Sequence, residues 1–122
     1  MEITSIINER ILNESDNIKE SFCNAKPYKH ILLKDFLNAS FLENILTEFP
    51  KVNAEELINE FGGTSKKHAV HDVRSIGKTF REWDDLLKSS GFIKWIESIT
   101  GIEGLIYDPE YHGAGTHNNL HG

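Results

Sequence analysis

Apolar residues recur along this chain at helical spacing in several separate blocks, and the polar stretches between them set the order of the elements. Ile3, Ile6, Ile7 and Ile11 fall at helical intervals with Arg10, so residues 3–12 read as a short amphipathic helix or a flexible arm, followed by the polar run NESDN. In KPYKHILLKDFL the rhythm changes. Pro27 disfavours a helix through it, and the short apolar run predicts a strand over Tyr28–Asp35. NASFLENILTEFP then predicts a helix opened by a reciprocal cap between Ser40 and Glu43. Its apolar face holds Phe41, Leu42, Ile45, Leu46 and Phe49, and Pro50 closes it. A second cap, Asn53 with Glu56, opens a shorter helix with Leu57, Ile58 and Phe61, stopped by Gly62 and Gly63.

GTSKKHAVHDVRSIG reads as a loop, after which Thr79 and Glu82 form a third capping box. The helix it opens turns Phe80, Trp83, Leu86 and Leu87 inward. SSGFIKWIESITG continues as a further turn or a separate helix around Gly91, burying Phe92, Trp95 and Ile96 until Gly101 stops it. GLIYD, Gly104–Asp108, reads as a strand leading into YDPEYHGAGTHNNLHG. Two strands cannot cover the apolar faces of these helices and satisfy their own edges, so the pattern predicts helices packed across a larger sheet. Residues 1–122 then form a single incomplete domain.

Charge narrows the classes. The chain carries a net charge of -6, with 11 acids and 6 bases in residues 1–60 and 8 and 7 in the remainder, so no surface suited to neutralising phosphates is expected. The basic excess of KKHAVHDVR reads as a solvated loop. The N-terminus resembles neither a signal peptide nor a membrane span. Cys23 is a lone cysteine without a Cys or His neighbour at redox or metal spacing, and it reads as a buried, unreactive thiol. A cytoplasmic location follows as the expectation, with neither nucleic acid nor membrane as partner.

The terminal histidines are the candidate chemistry. His117 and His121 are four apart and His112 could approach across the turn, but the glycines oppose a continuous helix and no His-Glu-x-x-His pattern is present. Individual polar roles are favoured over a metal site. Gly113 and Gly115 lack the spacing of a phosphate loop and fit a tight turn or bulge. Tyr107 and Tyr111 read as packed aromatics, Asp108 before Pro109 as a turn starter bonded within its own loop, and Glu97, Glu103 and Glu110 as solvent-facing charges. No nucleophile elbow or triad is present.

Residues 26–122, above all ITGIEGLIYDP with HGAGTHNNLHG, resemble the N-terminal part of the prolyl-4-hydroxylase-like superfamily of iron(II) and 2-oxoglutarate dependent oxygenases. The resemblance implies an α+β fold, with N-terminal helical support and the first strands of a double-stranded β-helix (jelly-roll), truncated before completion. It implies Fe(II) and 2-oxoglutarate as cofactors of the complete protein, a hydroxylase-type dioxygenase, and a protein side chain or small molecule as substrate. The His-x-Asp and distal His that would hold iron are absent from these 122 residues, so the chain alone would be inactive, with no catalytic residue and no metal ligand assigned. Tyr107 matches a cofactor-contacting position, and His117 a substrate-binding position at the pocket entrance or a residue that ties down its loop. The alternative is a noncatalytic interaction or self-associating domain of the same descent. Its apolar side of Trp83, Leu87, Trp95 and Ile96 would be covered by self-association or by another chain, while a missing C-terminal portion is the partner expected of a fragment.

Overall fold

The N-terminal isoleucines bury themselves through three short pieces of backbone rather than one helical stripe. In the computed structural model, which describes residues 2–51 and 67–119, a 3-10 turn covers Ile3–Ser5, α1 spans Glu9–Asn13 and α2 spans Ser15–Asn24. Ile6, Ile7, Ile11 and Ile18 all enter the core. Asn8 caps α1 by accepting from the Arg10 amide at 3.0 Å. The segment is stitched to residues 35–38 by an antiparallel bridge between Ile7 and Leu37. There the Asn8 amide donates to the Phe36 carbonyl and the Asn38 amide to the Ile6 carbonyl, both at 2.8 Å.

The strand expected over Tyr28–Asp35 is not formed. Side chains do alternate there, with Ile31 and Leu33 packed on the core and Leu32 exposed, but the backbone finds no ladder partner among the described residues. The polar run after Asn13 instead enters α2, whose inward pair Ile18 and Phe22 is too sparse a signal to stand out in sequence. Trp95 locks α2 to a later helix by donating its indole N–H to the Ser15 hydroxyl at 2.8 Å. Cys23, in the last turn of α2, is exposed rather than buried.

Helix α3 spans Ala39–Glu48 and α4 spans Lys78–Leu87, and neither uses its expected cap. The N-cap of α3 is Asn38, two residues before Ser40. Only Phe41 and Ile45 of its apolar residues turn to the core, leaving Leu42 and Leu46 outside. At α4 the amide of Thr79 donates to both carboxylate oxygens of Glu48, at 3.0 and 3.1 Å, and the Thr79 hydroxyl donates to the same group. A carboxylate from the end of one helix thereby caps the start of the next, where the exposed N–H groups and the helix dipole favour negative charge. The hydrogen bond from the Thr79 side chain holds Glu48 below the ordinary carboxylate range. A Cβ on Gly77 would come within 2.2 Å of Glu48 Oε1, so glycine leaves the carboxylate its seat. Glu48→Ala is expected to lower stability by about 1–2 kcal/mol, because buried Thr79 loses its acceptor. Urea denaturation reads this directly, and an unchanged midpoint would mean that α4 is capped otherwise.

Helix α5, Ser90–Thr100, follows the sequence reading closely. Ser89 caps it by accepting from the Phe92 amide at 3.2 Å, and Gly101 closes it at φ +73°. Packing joins α2 to α5, α3 to α4 and α4 to α5, with Phe36 stacked on Trp95 and Phe41 tilted against Trp83.

The strands lie where a loop and a turn were expected. Lys67–Val70 (β1) and Thr116–Asn119 (β2) form a two-stranded antiparallel sheet, with Val70 opposite Thr116 and Ala69 opposite His117. Residues 104–108 are not a strand, and Glu97, rather than facing solvent alone, accepts from the Leu105 amide at 3.1 Å. The jelly-roll expectation is therefore corrected. Among the described residues there are five α-helices and one two-stranded sheet, without a barrel. The helices bury their apolar faces against one another, which removes the need for the larger sheet that two-strand reasoning demanded. The helix expected over 53–61 lies outside the described residues. No helix among them is long and apolar enough to cross a membrane.

Candidate functional site

The inner face of α4 carries one anomaly. Asp84 follows Phe80 by one turn on a side otherwise occupied by apolar residues, and it is 1% exposed. A carboxylate in that position requires partners. Arg74, from the 3-10 turn Val73–Ser75, donates from one Nη1 to Asp84 Oδ2 and to Asp85 Oδ1, each at 2.8 Å. The hydroxyls of Tyr107 and Tyr111 both donate to Asp84 Oδ1, that of Tyr111 at 2.6 Å. The two phenol rings meet edge-on at 6.1 Å.

Local chemistry explains how two tyrosines four residues apart converge on one oxygen. Asp108 accepts from the amides of Glu110 at 2.9 Å and His112 at 2.8 Å, which folds the chain into the turn its Asp-Pro sequence suggests. Tyr111 completes the reversal at φ +49°, a region costly for a bulky side chain and held here by its bond to Asp84.

Burial by itself would raise the Asp84 carboxyl, but the bonds from Tyr107, Tyr111 and Arg74 outweigh it and hold the group below the ordinary carboxylate range. Burial, followed by the hydrogen bond to Asp84 and then its charge, drives the Tyr111 phenol well above its ordinary value of 10.0. These shifts act on stability in opposite pH ranges. A depressed carboxyl contributes fully above its unfolded value near 4 and loses that contribution as pH falls through its lower folded value. A raised phenol contributes fully below about 10 and loses its contribution as pH rises through the higher folded value. Thermal stability is therefore expected to fall below about pH 4 and again above about pH 10, with Tyr111→Phe weakening the alkaline fall. An alkaline fall of the same size in that variant would assign it to another group.

Beside the cluster lies a cleft of about 280 Å³, bordered by His71, Asp72, Arg74, Tyr107, Glu110 and Tyr111. With its carboxylate engaged by three side chains, Asp84 anchors the 107–111 segment rather than standing free as a base. Tyr107, the residue matched to a cofactor contact, gives its hydroxyl to Asp84. His117 is exposed on β2, its ring edge-on to His71 at 6.4 Å. His71 itself lies 2.7 Å through Nδ1 from the Ala114 carbonyl, and His112 Nδ1 lies 3.0 Å from Asp108. His112 and His117 thus serve different local structures, and His121 lies outside the described residues. Among the described residues no three His, Cys, Asp or Glu side chains are arranged to hold a metal ion.

The oxygenase reading is corrected: the described residues form a mainly helical fold with a two-stranded sheet, and no metal-holding cluster is found among them. Sequence reasoning also missed Arg74 and Asp84, the residues that organise this region. The available signal was a single carboxylate on the apolar stripe of Phe80 and Leu87.

A second surface lies on the outer side of α3. Ala39, Leu42 and Leu46, spaced by three and four residues, run along one stripe, with Leu42 42% and Leu46 59% exposed. At its N-terminal end, Phe36, Leu37, Ala39 and Leu42 line a groove of about 590 Å³ together with Asn8 and Asp35. No protein-family model, no curated protein and no solved structure matches this chain.

Proposed function

We propose that this chain is a noncatalytic interaction domain whose working surface is the outer stripe of α3 and the groove at its end. The observation that carries this reading is the pair Leu42 and Leu46, exposed one turn apart on a helix whose neighbouring face is already buried through Phe41 and Ile45. A helix with a second apolar side beside an apolar groove is the form in which partner proteins are commonly anchored. The Asp84 cluster supports the same reading, because its polar groups are spent on holding the chain together. Of the apolar side suggested by the sequence, Trp83, Leu87, Trp95 and Ile96, the two tryptophans pack against the core, which favours α3 as the candidate surface.

A photoreactive residue placed at position 46 tests the reading in the source cell. A discrete adduct is expected there, absent when the same group is placed at exposed Lys94 on α5 and lost on adding Leu42→Asp. Adduct patterns indistinguishable between positions 46 and 94 would sink the proposal.

A further inference from the structure

Resting on α3 as the docking surface, we infer that its occupant is a partner helix bearing Lys or Arg beside its apolar seam. The 3–4 spacing of Ala39, Leu42 and Leu46 is that of the seam along which two helices interlock side chains, and small Ala39 permits close approach at one end. An extended segment would have no use for this spacing, since its side chains alternate with a period of two.

Charge selects the kind of helix. Glu43, exposed on α3, follows Leu42 and precedes Leu46 by three residues, so it borders the stripe in the position where paired helices exchange charges. Asp35 lines the groove at the other end, α3 carries no basic residue, and the chain as a whole is at -6. A second copy of α3 brought against this stripe would add like charge at its border, whereas a basic flank would find acceptors there.

The test uses the whole chain and two monomeric, staple-stabilised helical peptides with the same leucine seam, one flanked by lysines and the other by glutamates. Chemical-shift titration is expected to place the lysine peptide on Leu42 and Leu46, binding about fivefold or more tighter than the glutamate peptide at low salt. That preference should shrink with added salt and reverse in Asp35→Lys/Glu43→Lys. Leu46→Asp should weaken binding by about tenfold while leaving shifts elsewhere unchanged. Equal binding of both peptides, or no reversal, overturns the basic occupant and leaves α3 as a docking surface. If neither peptide binds, the inference falls, and the adduct at position 46 decides separately whether the surface reading falls with it. A dimer in light scattering that Leu42→Asp converts to a monomer would make the second copy the occupant and overturn the inference as well.

Discussion

Asp84→Ala is expected to lower folding stability by about 3–5 kcal/mol, the range for removing one partner from a buried charged network. The substitution strands the hydroxyls of Tyr107 and Tyr111, both of which donate to Asp84 Oδ1, and removes one of the two carboxylates held by Arg74. Tyr111 also loses what holds its backbone at φ +49°, so the loss is concentrated in residues 107–114. Hydrogen exchange should therefore show deprotection there first, with α2 and α5, joined through Trp95 and Ser15, opening only at the global transition. Asp84→Asn, which retains the volume and one acceptor oxygen, should lose less. If Asp84→Ala unfolded at the same urea concentration as the parent, or lost protection uniformly, the cluster would not be the anchor described.

Gly115→Ala is expected to be the most damaging single methyl addition to the sheet, at about 3 kcal/mol or more. Gly115 sits at φ +125°, where only glycine is at ease, and an added Cβ would lie 2.2 Å from the Val70 carbonyl oxygen and 3.1 Å from the His71 Cα. These are backbone atoms of β1 and the residue after it, so relief requires β2 to move away from β1. The measurable consequence is faster exchange of the amides pairing Val70 with Thr116, accompanied by a lower Tm. Gly113→Ala is the control: φ is +73° there, but nothing lies within 4 Å of the added atom, so the cost is strain alone, about 1 kcal/mol. Equal effects at the two positions would refute the contact with Val70.

The glycine-rich terminal stretch therefore carries a structural meaning that its histidines obscured. Asp108 before Pro109 correctly indicated a self-bonded turn. The resemblance to an oxygenase failed because it weighed a short run of residue types without the scaffold that must present them. Here the run leads into an edge strand paired with residues almost fifty positions earlier.

Of the helices, α3, α4 and α5 were legible in the chain, whereas α2 was not. Phe80, Trp83 and Leu86 at helical spacing specify α4, and Phe92 and Trp95 with the Gly101 stop specify α5. Both rest on interactions within a turn or two of backbone, which local pattern encodes. The sequence also placed Phe41 and Ile45 on an apolar face of α3, but it could not say that the same helix would leave Leu42 and Leu46 outside, since that depends on which neighbour arrives. The tertiary structure alone decided that Glu48 would cap α4 from another helix, that β1 would pair with β2, and that Arg74, Tyr107 and Tyr111 would meet at Asp84. Each of these joins groups ten to just over fifty residues apart. Their geometry exists only once the helices have closed on one another, and no periodicity in the chain records it.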